Sequence, residues 1–180
     1  NPFSALRHRN FRYYWGSMCI SLIGTWMQNI ALPWLAYSMT GSPFLLSLVS
    51  ALQFTPMLLF SLFAGVIIDR FPKKSILYFT QSAALLIALA LAILVWSGHV
   101  RYWHLLTLAA MLGIVNTLDM PTRQSFIIEL VGREDLMNAI ALNSSIFNMA
   151  RVIGPAAAGV VMASMGIAFC FYINSLSFAA

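Results

Sequence analysis

Long apolar segments separated by short polar links follow one another along this chain of 180 residues. A hydrocarbon core about 30 Å thick takes about 20 helical residues to cross, and transmembrane strands are much shorter than these segments. Most of the links contain a turn residue or a group of charges, so each segment can end where its link begins. The sequence predicts six transmembrane helices, at residues 11–37, 44–68, 75–96, 102–122, 138–165 and 166–180.

The composition favours a membrane protein over a soluble helical domain. Hydrophobic residues make up 61% of the chain and charged residues only 8%, whereas soluble domains have about 45 to 50% apolar residues. A soluble bundle would need a polar outer face on each helix, and several segments have none. The expected fold class is therefore an all-α membrane protein. Because the sixth segment is too short to cross a bilayer, we expect the chain to be part of a longer polypeptide.

The basic residues predict the orientation of the chain in the membrane. Short loops rich in Lys and Arg stay on the cytoplasmic side, and most of these residues lie before the first segment, after the second or after the fourth. The N-terminus is therefore expected in the cytoplasm. Because the basic residues form no stripe or arm, nucleic acid is not expected as a partner.

Neither a metal site nor enzymatic chemistry is indicated. Cys19 and Cys170 lie alone within apolar segments, with no C-x-x-C spacing and no histidine cluster nearby. No nucleophile, base and orienting group come together at one depth, so we expect neither an enzyme nor a bound cofactor.

Charged residues interrupt the apolar sequence between the second and third segments, in the stretch GVIIDRFPKKSIL. The tendency of basic loop residues to stay on the cytoplasmic side of the membrane explains Arg70, Lys73 and Lys74, but it requires neither Gly65 nor Asp69. Gly65 and Asp69 lie four residues apart and so share one helical face, where the glycine would let a neighbouring helix approach closely.

A second carboxylate, Asp119, lies near the cytoplasmic end of the fourth segment. It could bind Arg70 or Lys73, so the sequence favours a cluster of Asp69, a loop cation and Asp119 that breaks and re-forms as helices move. These charged residues and Gly65 form the predicted conformational switch. The alternative is a static loop in solvent.

The stretch from Gly65 to Lys74 resembles the signature loop G-x-L-x-D-R-x-G-R-K of the major facilitator superfamily, between the second and third helices of that fold. Ile67 stands in place of the leucine, Pro72 in place of the second glycine and Lys73 in place of the arginine. The resemblance implies that this loop locks one conformation of an alternating-access transporter. An acid of the fourth helix, matched in position by Asp119, then pairs with the loop cation.

The fifth segment resembles the antiporter motif G-x-x-x-G-P-x-x-G-G of the same superfamily. It has Gly154, Pro155 and Gly159 in place, while Ala150 and Ala158 replace two glycines. A face of small residues permits close helix packing, and Pro155 frees a backbone carbonyl, so we expect a bend.

Together, these motifs and the six segments make the chain similar to the N-terminal half of a twelve-helix transporter, closest to bacterial drug and siderophore exporters. The resemblance implies two three-helix units in inverted orientation and a location in the bacterial cytoplasmic (inner) membrane. It also implies three partners: a small-molecule substrate, the lipid bilayer and the C-terminal six-helix half of the same chain.

The resemblance further implies a substrate site near the membrane midplane, where polar side chains should line the path. Polar residues on the first, fourth and fifth segments are the candidates: Ser21, Gln28, Asn116, Ser144, Asn148 and Arg151. A charged side chain as deep as Arg151 normally faces a cavity or a partner, such as an anionic group of a substrate. Ordinary hydrogen bonding between helices is the alternative for these residues.

The function expected from the resemblance is export of small, partly apolar molecules by alternating access, coupled to protons. Coupling is expected from the resemblance alone, since no acid lies in the first segment and Asp119 lies toward its cytoplasmic edge. Two alternatives remain open: movement of lysophospholipids, and a membrane receptor or assembly partner that transports nothing.

Overall fold

The computed structural model describes residues 4–179, and these residues form six α-helices and one short 3₁₀ helix with no strand. The 3₁₀ helix Ser4–Arg7 precedes α1 (Arg9–Thr40), α2 (Pro43–Arg70), α3 (Lys73–Trp96), α4 (Tyr102–Val131), α5 (Leu136–Ser164) and α6 (Ile167–Ser177). The predicted all-α fold class is confirmed. Residue 180, the predicted end of the sixth segment, lies outside the described residues.

The links between helices follow from their turn residues. Gly41 ends α1 with a φ of 63°, a left-handed conformation that glycine adopts without strain, and its N–H donates to the carbonyl of Tyr37. The next residue, Ser42, caps α2 by accepting a hydrogen bond from the N–H of Leu45. Pro43 follows at the first helical position, where its missing N–H costs nothing.

The largest difference between a predicted segment and a helix is at the end of α4, which continues to Val131, whereas the predicted segment ends at residue 122. Pro121 lies inside this helix, which continues through it. A helix of 30 residues is about 45 Å long, which exceeds the hydrocarbon core of about 30 Å. The last turns of α4 therefore extend beyond the apolar layer, where Glu129 can be solvated.

Four helices, α2 to α5, are long and apolar enough to cross a membrane, judged by length and composition over the described residues. Helix α6 is apolar but has 11 residues. Helix α1 has 32 residues, but Gln28 and Asn29 interrupt its apolar sequence. Gln28 is buried, whereas Ile20 and Ile30 are exposed, so α1 also turns apolar side chains outward.

The helices pack as two related units of three. Helix α2 packs along α4, and helix α5 packs along α1. Helix α3 also contacts α4, and α6 also contacts α1. The two units meet again where α3 and α6 contact each other. Exchanging α1–α3 with α4–α6 leaves this set of neighbours unchanged, as expected for two repeats related by a pseudo-twofold axis. Each unit has an odd number of helices joined by short links, so the two units run in opposite directions.

The apolar core is concentrated at the two ends of the bundle. The end that carries the start of α1, called here the N-terminal end, packs Phe11 against Ile127 and Ala139. The opposite end packs Leu35, Val49 and other buried residues of all six helices. Between these two clusters lie buried polar side chains such as Gln28, Gln53 and Asn174, together with a smaller apolar cluster of Ala84, Ile87 and Leu112.

Candidate functional site

A cavity of about 210 Å³ lies at mid-depth in the bundle and is bordered by side chains from all six helices. Amides and hydroxyls supply most of its polar lining: Ser21, Thr25, Gln28, Asn29, Gln53, Gln81, Asn116, Gln124, Asn143 and Asn174. One acid and one base, Asp119 and Arg123, join them, and apolar lining includes Phe54 and Phe147. The site is therefore polar, electrically balanced and partly aromatic. We call it the central cavity.

Two amide pairs connect α1 to its neighbours at the centre of the bundle. The Nδ2 of Asn174 on α6 donates to the Oε1 of Gln28 at 2.7 Å, and both residues are almost fully buried. The Nε2 of Gln53 on α2 donates to the Oδ1 of Asn29 at 3.1 Å. Gly24 makes the first contact possible, because a Cβ at this position would lie 2.6 Å from the Oδ1 of Asn174.

A buried ion pair joins the cavity to α3. The Nε of Arg123 lies 2.5 Å from the Oδ2 of Asp119, one turn earlier on α4. The other carboxylate oxygen accepts hydrogen bonds from Thr80 Oγ1 and Gln81 Nε2, each at 2.7 Å. Both oxygens of Asp119 are thus satisfied, which is the condition for a stable buried carboxylate.

The predicted pairing of Asp119 with Arg70 or Lys73 is wrong. Asp119 pairs with Arg123, and the Nζ of Lys73 binds the Oε1 of Glu129 at 2.5 Å instead. Glu129 lies ten residues beyond Asp119, or about 15 Å along the helix, which brings it level with the start of α3. The D-x-P-x-R spacing was the missed signal, because residues four apart on a helix are neighbours.

The remaining residues of the predicted switch lie at the N-terminal end of the bundle, with their side chains exposed. Asp69 and Arg70 are the last residues of α2, and Lys74 lies 5.8 Å from the ring of Tyr78. A Cβ at Gly65 would meet no atom within 4 Å, so this glycine serves no close helix contact among the described residues. The role of this set as a switch stays a prediction.

The structure brings only half of the predicted path residues to the cavity. Ser21, Gln28 and Asn116 border it, and their role in a substrate path stays a prediction. The three candidates on α5 do not: Ser144, Asn148 and Arg151 are exposed on a different face of that helix. Asn143 and Phe147 are the α5 residues that reach the cavity.

The small residues of α5 behave differently from one another. Gly154 packs against α1 so closely that an added Cβ would collide with the Cβ of Trp26 and lie 3.2 Å from the carbonyl of Ile23. Gly159 meets no atom within 4 Å in the described part of the chain. Pro155 lies inside α5, which continues as one helix on both sides of it.

Four polar side chains fasten the N-terminal 3₁₀ helix to the start of α5. Ser4 Oγ donates to Asp135 Oδ1 at 2.5 Å and accepts from Asn138 Nδ2 at 2.7 Å, while His8 Nε2 lies 2.9 Å from Asp135 Oδ2. The hydrogen bonds from Ser4 and His8 hold the pKa of Asp135 below its ordinary value of 3.8. We call these residues the N-terminal clasp.

The clasp predicts a pH-dependent stability. Because folding lowers the pKa of Asp135, its contribution is fully present above pH 3.8 and is lost as the pH falls through the lower, folded-state pKa. An Asp135→Asn variant should therefore melt below the wild type at about pH 7, and the gap should close toward about pH 3. Melting temperatures of the purified full-length protein measure this gap, with the exposed neighbour Glu134→Gln as the control. A gap that persists at the lowest pH would contradict the assignment.

The polar partners across the bundle had not been predicted. Gln53, Thr80, Gln81 and Asn174 each lie within an apolar segment, and such isolated polar residues were the available signal. Their partners could not be found from the sequence, because Gln28 and Asn174 are 146 residues apart.

A six-helix membrane bundle built from two related units around a polar mid-depth cavity is the architecture of half a transporter. The model of the transmembrane secretion effector family matches residues 1–180, so the chain belongs to this family of major facilitator superfamily transporters. It is accordingly an integral membrane protein. The resemblance drawn from the Gly65–Lys74 loop and the α5 motif is confirmed at the level of the family.

The relatives include siderophore and drug transporters. The staphyloferrin A transporter of Staphylococcus aureus is 28% identical over 92% of this chain and 44% of its own length. The multidrug efflux pump Tap of Mycolicibacterium fortuitum is 25% identical over 79% of this chain and 36% of its own length. The macrolide efflux protein A of Streptococcus pyogenes is 26% identical over 84% of this chain and 37% of its own length. The chain thus spans less than half the length of these relatives, and no solved structure matches it significantly.

Proposed function

We propose that the chain is the N-terminal half of a secondary-active exporter of small, partly apolar molecules. The observation that carries this proposal is the central cavity, in which satisfied amide pairs and a buried ion pair surround open space. Polar groups at membrane depth are costly and usually mark a path for a substrate or ion. Fold alone does not define function, so this cavity is the main support.

The lining of the cavity favours amphipathic substrates. Amide and hydroxyl groups offer hydrogen bonds, while Phe54, Phe147 and Met120 offer apolar contact. Pockets that combine a few polar groups with aromatic and methionine side chains accept varied compounds. The relatives include the staphyloferrin A transporter and the multidrug efflux pump Tap, and varied substrates of this kind agree with the proposal.

Alternating access is proposed from the arrangement of the helices. Helix α2 has a broad apolar surface that nothing in residues 4–179 covers: Leu58 and Leu62 are 81% and 85% exposed. A second six-helix half of the same polypeptide would cover part of this surface. In this proposal the charged end of α2, with Asp69 and Arg70 in the cytoplasm, stabilises one of the two conformations.

Proton coupling is proposed from family membership and from Asp119. This carboxylate is the one acid that borders the central cavity among the described residues. Its oxygens are occupied by Arg123, Thr80 and Gln81, so proton uptake would require this cluster to open. A movement of α3 against α4 would withdraw Thr80 and Gln81 from the Oδ1 of Asp119 and so free one carboxylate oxygen for a proton.

Dye efflux from proteoliposomes tests the function. Vesicles containing the purified full-length protein and a fluorescent cationic dye should lose the dye faster than protein-free vesicles, and a pH gradient should accelerate the loss. Replacing Asn116 by leucine should slow efflux, because it removes an amide from the cavity wall. Efflux that equals the protein-free rate for a panel of amphipathic dyes, with and without the gradient, would contradict an exporter.

A further inference from the structure

The surface of α5 is divided into three faces. The first packs against α1 and is buried: Leu142, Ile146, Ala150, Gly154 and Ala158. The second is exposed and apolar: Met149, Val152, Ile153, Ala156 and Val160. Between Ser144 and Gly159 the third carries only polar or small residues, which are Ser144, Asn148, Arg151, Pro155 and Gly159, and Met137 and Met162 continue it toward the two helix ends. Helical spacing rotates this third face by about 100° from Asn143 and Phe147 of the cavity wall, and by about 115° from the second face.

The third face cannot be the lipid-facing side of α5. An apolar surface is available on the second face, and that surface is the one suited to acyl chains. Arg151 lies 15 residues after Leu136 and 13 before Ser164, so it is about 20 Å from either end of the helix. A guanidinium at this depth requires water, a cavity or a partner.

No acid of the described residues is available to Arg151. The chain has five acidic residues, and three of them are engaged elsewhere: Asp119 with Arg123, Glu129 with Lys73 and Asp135 with His8. The other two, Asp69 and Glu134, lie at the N-terminal end of the bundle, at the end of α2 and in the link before α5. The ion pair of Asp119 is balanced, so Arg151 is the uncompensated charge at mid-depth among residues 4–179.

We infer that Arg151 is the cationic side of a carboxylate-binding site that is completed from outside this half of the protein. The planar guanidinium fork matches a carboxylate with two parallel hydrogen bonds. A single cation on a face of otherwise neutral side chains balances a single negative charge, which suits a carboxylate better than a doubly charged phosphate. The carboxylate belongs either to the transported molecule or to the second half of the polypeptide. This inference rests on the proposed function.

Two dyes that differ by one carboxylate test the site. Rhodamine B has a free carboxylate, and its ethyl ester does not. Fluorescence anisotropy with the purified full-length protein gives the dissociation constant of each dye for the wild type, Arg151→Gln, Arg151→Lys and the control Arg133→Gln. Arg133 carries the same charge in the exposed link between α4 and α5, so it controls for the loss of one cation.

A substrate carboxylate predicts a loss confined to one dye. Arg151→Gln should weaken binding of rhodamine B about tenfold or more and leave the ester nearly unchanged, because a charge-assisted hydrogen bond is lost. Arg151→Lys should recover part of the loss. A carboxylate on the second half predicts another result: Arg151→Gln melts well below Arg133→Gln and weakens both dyes equally, because an acid is left unpaired.

Equal behaviour of Arg151→Gln and Arg133→Gln in dye binding and in melting temperature would overturn the inference, whether or not the wild type binds either dye. Dye efflux from proteoliposomes is measured separately. A wild type that binds rhodamine B through Arg151 but moves no dye of the panel would refute the exporter and leave the carboxylate site in place.

Discussion

Replacing Asp119 by alanine should destabilise the full-length protein by about 3 to 5 kcal/mol, the largest stability effect expected for any single charge in this half. The substitution leaves the guanidinium of Arg123 charged and unpaired within the bundle, and it also removes the acceptor of Thr80 and Gln81. The free energy of unfolding, measured by denaturant titration of the purified protein, gives the effect. Glu134→Ala, which removes an exposed carboxylate in the α4–α5 link, should change it by less than about 0.5 kcal/mol.

A double-mutant cycle separates the ion pair from general damage to the site. Asp119→Ala combined with Arg123→Ala should cost less than the sum of the single changes, since no unpaired charge remains in the double variant. A coupling energy near zero would mean that the two side chains do not interact in the folded protein.

Replacing Gly154 by valine should destabilise the protein by about 3 kcal/mol, because the site is overpacked before the valine methyl groups are placed. The Cβ alone would collide with the Cβ of Trp26, and that atom is the base of a side chain and cannot rotate away. To relieve this collision, α5 would have to move away from α1. Dye efflux should therefore fall together with the stability of the protein.

The matched control for this variant is Ala156→Val, which introduces the same side chain two residues later on the exposed apolar face of α5. Its effect should be below about 0.5 kcal/mol, as is usual for surface substitutions. Similar melting temperatures for the two valine variants would show that α5 does not pack on α1 through Gly154.

The helices were predictable because the first five apolar segments have the length that a bilayer requires and most segments end at a visible signal, such as Gly41-Ser42-Pro43. The end of α4 was not predictable in this way, because its last turns extend past the apolar segment that defined the prediction. The apolar pattern does not mark where a helix ends once the helix has left the hydrocarbon layer, and Glu129 lies in such a region of α4.

The candidate site was predictable in its residue types but not in its pairs. Ser21, Gln28 and Asn116 were identified because polar residues are rare within apolar helices. Which groups bind each other depends on how helices distant in sequence are placed, and the amide pair of Gln28 with Asn174 exists only once α6 lies beside α1. The local pair of Asp119 and Arg123 required no tertiary information, only attention to i, i+4 spacing.

The most direct measurement is the accessibility of the central cavity from each side of the membrane. In full-length protein with its native cysteines replaced, Val115→Cys places one thiol on the cavity wall without removing any of its polar groups. A membrane-impermeant maleimide, added to either side of sealed vesicles, should label this thiol, and a transported dye should change the ratio between the two sides. A thiol that reacts from neither side, or at a ratio that no dye or pH gradient alters, would contradict an alternating-access transporter.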